Sequence, residues 1–129
     1  MHKKRAVILI AHGSKRAESN EEFRVLVKKV KDENTHFDAV EFAFLELADP
    51  SIEETIEKMH QMKMDEVYLY PYFLNSGKHV AVDIPTIATK MQLGIKEMKI
   101  EVLTHFGESQ SITKIISHDL NLQKATCIK

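Results

Sequence analysis

Cysteine is almost absent from this chain: its 129 residues include one, Cys127. A single cysteine excludes an internal disulfide, and it excludes a zinc or redox site of the Cys-x-x-Cys type. Its position near the end of the sequence makes it a poor candidate for a nucleophile. Because low cysteine content fits a reducing compartment, we predict a cytoplasmic location.

An excess of charge and long apolar runs are missing as well. The formal net charge is −1, with 18 Lys and Arg residues against 19 Asp and Glu residues, and the cations are scattered. This pattern offers no basic surface for nucleic acid. No apolar run approaches the roughly 20 residues that span a bilayer, and the run after the basic N-terminus is too short for a signal peptide. We therefore expect neither a nucleic-acid nor a membrane partner.

The motifs of several common enzyme classes are also absent. Neither the Walker pattern G-x-x-x-x-G-K-[ST] nor the dinucleotide pattern G-x-G-x-x-G occurs, so a phosphate-binding loop is not indicated. Ser14 does not lie in G-x-S-x-G, which argues against a nucleophile elbow.

Four short apolar runs alternate with four stretches of helical periodicity. The predicted strands are residues 6–11, 39–45, 66–71 and 98–103, and the predicted helices begin near Ser19, Asp49, Asp83 and Ser109. Strands separated by helices imply right-handed crossovers and a parallel sheet covered on both faces. We predict a small doubly wound α/β domain, with four parallel strands in a flavodoxin-like order, over residues 1–120, and a flexible tail over residues 121–129.

Local patterns predict how some of the helices begin and which side chains they bury. Ser19 and Glu22 match a capping box, and Asp49 before Pro50 predicts a cap followed by a proline in the first turn. The last helix is expected to turn three isoleucines inward: Ile112, Ile115 and Ile116.

A histidine or a glutamate follows each of the four predicted strands. His12 follows the first strand, Glu46 the second, His79 the third and His105 the fourth. Because ligands bind outside the carboxyl ends of parallel strands, these side chains are expected near one rim. Imidazoles with a carboxylate suit cobalt, nickel, iron or zinc better than magnesium. A histidine bonded within a turn explains His12 equally well, and a solvated loop residue explains His79 equally well. A surface acid is the slightly favoured interpretation of Glu46, and His105 is expected to be structural or exposed.

Three segments in order resemble a known family. They are AHGS at residues 11–14, EFAFLE with DPSI at residues 41–46 and 49–52, and YPYFLNSGKHVAVDIP at residues 70–85. This combination is similar to the short form of the CbiX-type sirohydrochlorin chelatases, the class II enzymes that insert a divalent metal into a cyclic tetrapyrrole. The resemblance runs from about residue 6 to residue 118.

The resemblance implies a flavodoxin-like fold and specific roles for three residues. His12 and His79 would bind the metal and accept protons, and Glu46 would be a supporting carboxylate. The family implies no organic cofactor, because the divalent metal is a substrate, with Co²⁺ favoured and Ni²⁺ or Fe²⁺ as alternatives. A chain with one copy of the domain is expected to form a homodimer with the active site between the subunits.

The substrate itself suggests further contact residues. Ser14, Lys15, Arg16 and Lys78 are candidates for binding the peripheral carboxylates of sirohydrochlorin, and Phe73 and Leu74 are candidates for lining an apolar slot for the ring. Lys15 stands where many relatives carry arginine, and an ammonium group does not reproduce the two-pronged binding of a guanidinium.

Two other function classes compete with a chelatase. A non-catalytic metal or tetrapyrrole carrier would use the same rim without turnover. A flavodoxin-like signalling domain would need an acidic cluster with a phosphoacceptor aspartate, which the sequence lacks.

Overall fold

The computed structural model describes residues 2–34 and 36–127. Over these described residues, four strands alternate with four α-helices, and there are two additional short helical turns. The elements are β1 (Arg5–Ala11), α1 (Ala17–Glu33), β2 (Ala39–Phe44), α2 (Ile52–Gln61), β3 (Glu66–Pro71), a π-helical turn (His79–Asp83), α3 (Ile84–Gly94), β4 (Lys99–Val102), a 3₁₀ turn (Phe106–Glu108) and α4 (Ile112–Cys127).

The strands form one parallel sheet in the order β2-β1-β3-β4. This is the predicted doubly wound α/β class, and its strand order matches the first four strands of a flavodoxin-like sheet. The carboxyl ends of β1, β2 and β3 therefore open onto the same edge. No helix of the described residues is both long and apolar enough to cross a membrane.

The core has one layer on each side of the sheet. The side chains of Ile8 and Ile10 pack with those of α2 and α3 in the larger layer, whereas Val7 and Leu9 pack with α1 in the smaller layer. A strand that is buried on both faces must be apolar at successive positions. This requirement is why β1 reads as the continuous run that the sequence shows.

Helix α1 begins two residues earlier than predicted and without the expected cap. The chain becomes helical at Ala17, and Arg16 at the N-cap position makes no side-chain capping bond. The backbone N–H groups of Ser19 and Asn20 already donate to the carbonyl of Arg16. Ser19 therefore lies inside the helix, and the predicted capping box with Glu22 is wrong.

The cap of α2 is Ser51 and not Asp49. The Ser51 hydroxyl accepts from the Glu54 N–H at 3.0 Å, and the Glu54 carboxylate accepts from the Ser51 N–H at 2.9 Å. This reciprocal capping box satisfies two backbone donors at once, whereas Asp49 supplies no capping bond to this helix among the described contacts. Pro50 correspondingly precedes the helix and does not occupy its first turn.

Helices α2 and α3 bury apolar side chains against the sheet. Ile52, Ile56 and Met59 of α2 are inaccessible to solvent, and Ile84 and Ala88 of α3 are buried against the same layer. Pro85 lies in the first turn of α3. A missing backbone N–H is tolerated there because it has no partner within the helix.

Helix α4 differs from prediction in both its bounds and its orientation. It begins at Ile112 instead of Ser109 and continues without a break to Cys127, past the predicted end near Asn121. Leucine, glutamine and lysine favour helix over this stretch. Ile115 and Ile116 are exposed and do not turn inward, because periodicity predicts which residues share a face but not whether anything covers it. The flexibility of residues 121–129 stays a prediction, and residues 128 and 129 lie outside the described part.

Candidate metal site

Three potential metal ligands meet where the first three strands end. His12 follows β1, Glu46 follows β2, and His79 opens the π-helical turn after β3. Their ligand atoms all lie within 4.8 Å of one another. The centroids of the two imidazole rings are 4.8 Å apart, and the rings are tilted by 58°. The three side chains are therefore within reach of one shared ion.

His12 is oriented by a partner on each ring nitrogen. Its Nδ1 lies 2.9 Å from the carbonyl oxygen of Gly13, to which the Nδ1–H donates. Its Nε2 lies 2.8 Å from Oε2 of Glu46. A carbonyl bond of this kind fixes the tautomer and directs the other nitrogen toward a metal.

The loops that carry His12 and Glu46 are fixed to each other through their backbones. The Glu46 N–H donates to the carbonyl of His12 at 3.0 Å, and the Leu45 N–H donates to the carbonyl of Ala11 at 2.9 Å. Gly13 has a φ of +96°, and a Cβ at this position would collide with the carbonyl oxygen of Glu46. Glycine is required here because the left-handed backbone and the close approach both exclude a side chain.

His79 is oriented by an aspartate that sequence reasoning did not assign to the site. Nδ1 of His79 lies 2.7 Å from Oδ2 of Asp83, four residues later on the π-helical turn. If the Nδ1–H donates to this carboxylate, Nε2 is left free for a metal or a proton. The signal was present in the sequence, since Asp83 belongs to the same motif as His79, but its contact depends on the local helical geometry.

The site is open to solvent. The side chains of His12, Glu46 and His79 are 39%, 54% and 41% exposed, and that of Asp83 is 29% exposed. A large substrate can therefore reach the three ligands without displacing a covering element. Three exposed ligands also leave coordination positions for water or substrate, as in sites where a metal reacts.

Ser14 and Arg16 form the turn that leads from β1 into α1. The Ser14 hydroxyl accepts from the Arg16 N–H at 3.0 Å. Asn20 fastens this turn from α1: its Oδ1 accepts from the Ser14 N–H, and its Nδ2 donates to the Ser14 carbonyl. Asn20 is buried, and sequence reasoning missed it because an asparagine inside a helix carries no distinctive signal.

The other predicted contact residues lie near the ligands but do not join them. Lys15 and Lys78 are exposed, each on the loop that carries one of the histidines. Phe73 is half-buried with its ring centroid 6.4 Å from that of His79, and Leu74 is exposed. The guanidinium Nε of Arg16 lies 3.9 Å from the carboxylate of Glu18, on the protein surface.

His105 does not take part in the ligand group. It is buried next to the 3₁₀ turn, which agrees with the structural interpretation that the sequence favoured. The described residues contain one group of three metal-ligating side chains within reach of a shared ion, and it is the group of His12, Glu46 and His79.

Comparison with known proteins identifies relatives of this chain. It is 40% identical over 81 residues, 63% of its length, to the chloroplastic sirohydrochlorin ferrochelatase of Arabidopsis thaliana. It is 31% identical over 110 residues to a sirohydrochlorin cobaltochelatase of Sulfurisphaera tokodaii, and this match covers 85% of the chain and 86% of the relative. In three curated relatives it spans 36%, 55% and 57% of their length.

The fold is shared with a chelatase of known structure. The sirohydrochlorin chelatase SirB from Bacillus subtilis subspecies spizizenii, solved in complex with cobalt, superposes with a TM-score of 0.82 at 22% sequence identity. The match covers 92% of this chain and 50% of SirB. A sequence model of the CbiX family matches residues 6–121. This match covers most of the chain and confirms the predicted resemblance: the chain belongs to the CbiX family.

Proposed function

We propose that this protein is a sirohydrochlorin chelatase that inserts a divalent transition metal into the tetrapyrrole. The observation that carries the proposal is the convergence of His12, Glu46 and His79, with ligand atoms within 4.8 Å of one another. Relatives that act as a cobaltochelatase and a ferrochelatase support the reaction class and the substrate. Co²⁺ is the favoured metal and Ni²⁺ or Fe²⁺ the alternatives, since imidazole ligands accept all three.

The metal is a substrate in this proposal, and no organic cofactor takes part. Nε2 of His12 and of His79 are the nitrogens that bind the incoming ion, because the Nδ1 atoms face Gly13 and Asp83. Each imidazole that binds replaces a water molecule of the hydrated ion. Partial dehydration is necessary before the ion can pass to the ring nitrogens.

Two pyrrole protons must leave the macrocycle as the metal enters. Glu46 is the first acceptor, because its carboxylate lies 2.8 Å from Nε2 of His12 and loses this contact when Nε2 binds the incoming metal. His79 is the second acceptor once its metal has moved to the ring. Carboxylate and imidazole side chains act as general bases and pass the proton on to water.

The loops beside the ligands offer contacts for a flat ring with acidic edges. Leu47 and Leu74 are more than half exposed, and each lies in a loop that carries a metal ligand. They would pack on the macrocycle with Phe73. The cations of Lys15, Arg16 and Lys78 would pair with its carboxylates, helped by the Ser14 hydroxyl.

The active site is proposed to lie between two copies of this chain. One copy corresponds to 50% of SirB, which has the same fold, so two copies supply the amount of protein present in that chelatase. One face of a large ring meets the open site described above, and a second copy would enclose the other face. A cytoplasmic location stays a prediction.

An anaerobic absorbance time course tests the reaction directly. Sirohydrochlorin is mixed with Co²⁺, Ni²⁺ or Fe²⁺ and a small fraction of a molar equivalent of protein, and its spectrum is compared with the rate without protein. We expect many turnovers per chain with at least one metal. Tight binding of the tetrapyrrole without acceleration would identify a carrier and overturn the proposal.

Replacing His79 tests the assignment of the site. His79→Ala removes a metal ligand from an exposed position, so we expect insertion to fall at least about 100-fold while the circular dichroism spectrum is unchanged. His60→Ala is the matched control, because His60 pairs with Glu97 on the surface outside the ligand group. Equal activity of the two variants would refute the site.

A further inference from the structure

Helix α1 contacts each of the three loops that carry a metal ligand. The contacts come from Asn20, Phe23 and Arg24. These residues are three and four positions apart, so they lie on one face of the helix, and we call them the α1 brace. The loops follow β1, β2 and β3 in the chain. One helix is therefore in contact with every loop of the metal site, although it supplies no ligand itself.

Asn20 holds the loop after β1 through both ends of its amide. The Ser14 N–H donates to Oδ1 at 3.0 Å, and Nδ2 donates to the Ser14 carbonyl at 2.8 Å. The Asn20 side chain is only 7% exposed, and a buried amide that lost one of these partners would be left unsatisfied. Ser14 is thus held against α1. Because Ser14 comes two residues after His12, the position of the His12 backbone depends on Asn20.

Arg24 contacts the loop after β2 on both sides of its ligand. Nη2 of Arg24 donates a long hydrogen bond of 3.4 Å to the carbonyl of Asp49. The guanidinium carbon lies 5.4 Å from the ring centroid of Phe44, a distance at which a cation is attracted by the face of an aromatic ring. Phe44 and Asp49 flank Glu46 in the chain. Arg24 therefore restrains the segment that presents Glu46.

Phe23 contacts the segment that leads from β3 to His79. Its ring stacks on that of Tyr72, with 5.5 Å between the centroids and 24° between the planes. It also meets the ring of Phe44 edge-on, at 5.6 Å between centroids. Aromatic pairs at these separations stabilise a structure beyond the area that they bury. Because Tyr72 is the first residue after β3 and Phe44 the last of β2, Phe23 joins the second ligand loop to the third.

We propose that Asn20, Phe23 and Arg24 are positioning residues that set the distances among the three metal ligands. A metal site binds well only when supporting contacts hold its ligands near the productive geometry. Ligands on loops that move independently must be ordered when the ion binds, and this ordering lowers affinity. The α1 brace supplies that order in advance. The inference rests on the proposed function, because it takes the three side chains as the ligands of the incoming metal.

Replacement of Asn20 tests the most buried contact of the brace. Asn20→Ala removes both bonds to Ser14 at a position where alanine favours the helix, so the chain should still fold. The readout is the dissociation constant for Co²⁺ alone, followed by the visible absorption of the bound ion. We expect this constant to rise about tenfold, as it does when other supporting contacts of metal ligands are lost. In the insertion assay, the KM for the metal should rise more than kcat falls.

Val27→Ala is the control that separates positioning from stability. Val27 lies on the same helix, is 2% exposed and has no polar group with which to hold a loop. Its truncation leaves a cavity in the core and lowers the melting temperature. We expect its affinity for Co²⁺ to equal that of the wild type, even where its loss of stability matches that of Asn20→Ala.

A second variant tests the brace at a contact whose loss leaves the core intact. Arg24→Met keeps the apolar stem of the side chain and removes the guanidinium. Its effect on the dissociation constant for Co²⁺ should be in the same direction as that of Asn20→Ala but smaller, because Arg24 is 34% exposed and its bond to Asp49 is long. Lys28→Met, at an exposed position of α1, is its matched control and should bind Co²⁺ like the wild type.

The results that would overturn the inference differ from those that would overturn the proposed function. Wild-type affinity for Co²⁺ in both Asn20→Ala and Arg24→Met would show that the loops hold the ligands without α1. Equal losses of affinity in Asn20→Ala and Val27→Ala would show that stability, and not position, limits binding. A wild-type chain that binds Co²⁺ without inserting it refutes the chelatase, whereas the comparison of Co²⁺ affinities among the variants still decides the role of the brace.

Discussion

At the scale of single residues, Asp38 fastens the start of the sheet. Its carboxylate accepts from the Arg5 N–H at 2.8 Å and lies 3.1 Å from Nε2 of His2. The backbone hydrogen bond from Arg5, followed by the bond to His2, lowers the pKa of the Asp38 carboxyl below its ordinary value of 3.8. Asp38 therefore joins β1 to the chain just before β2 most strongly when it is ionised.

This lowered pKa predicts a pH dependence of stability. A carboxyl with a depressed pKa in the folded state stabilises the fold above its ordinary pKa, and the contribution is lost as pH falls through the folded pKa. In urea unfolding, the free-energy difference between wild type and Asp38→Asn should shrink as the pH falls below 3.8. A difference that is independent of pH down to pH 2 would contradict this.

At the scale of elements, the π-helical turn determines how His79 is presented. It places Asp83 on the same side as His79, with 2.7 Å between the carboxylate and Nδ1. Asp83 contacts no proposed substrate atom and acts as a positioning residue through His79. Its carboxylate holds the ring orientation that leaves Nε2 exposed to a metal.

Asp83→Asn should therefore lower the efficiency of metal insertion more than it lowers the stability of the fold. We expect a loss of roughly 10- to 100-fold in kcat/KM for the metal, with a larger rise in KM than fall in kcat and a melting temperature close to that of the wild type. Asp32→Asn, at an exposed position of α1, is the control. Wild-type kinetics for Asp83→Asn would show that His79 needs no orientation from this side chain.

The elements also show what a sequence of this kind can and cannot predict. Strand β1 was predictable because burial on both faces demands a continuous apolar run, and the ends of the first three strands bring His12, Glu46 and His79 to one edge. The start of α2 could not be predicted, because Asp49 and Ser51 both suit an N-cap. The fold selects Ser51 through its reciprocal hydrogen bonds with Glu54. Contacts of Asp83 and Asn20 depend on backbone geometry that periodicity does not encode.

At the scale of the whole molecule, the proposed dimer makes activity depend on protein concentration. If one active site needs two chains, the insertion rate per chain should fall as the protein is diluted through the dimer dissociation constant, because dissociation removes half of each site. The midpoint of the rate curve should coincide with the midpoint of dissociation measured by mass. A rate per chain that stays constant when the protein is monomeric would place the whole reaction on one copy.

The openness of the ligand group has a consequence for how long an ion stays. His12, Glu46 and His79 supply three ligand atoms on side chains that are 39%, 54% and 41% exposed, whereas sites that retain zinc permanently close a full tetrahedron. Water can enter the remaining positions and help an ion to leave. A metal at this edge should therefore have a short residence time and pass readily to a competing chelator in solution, a property suited to a protein that hands its metal on.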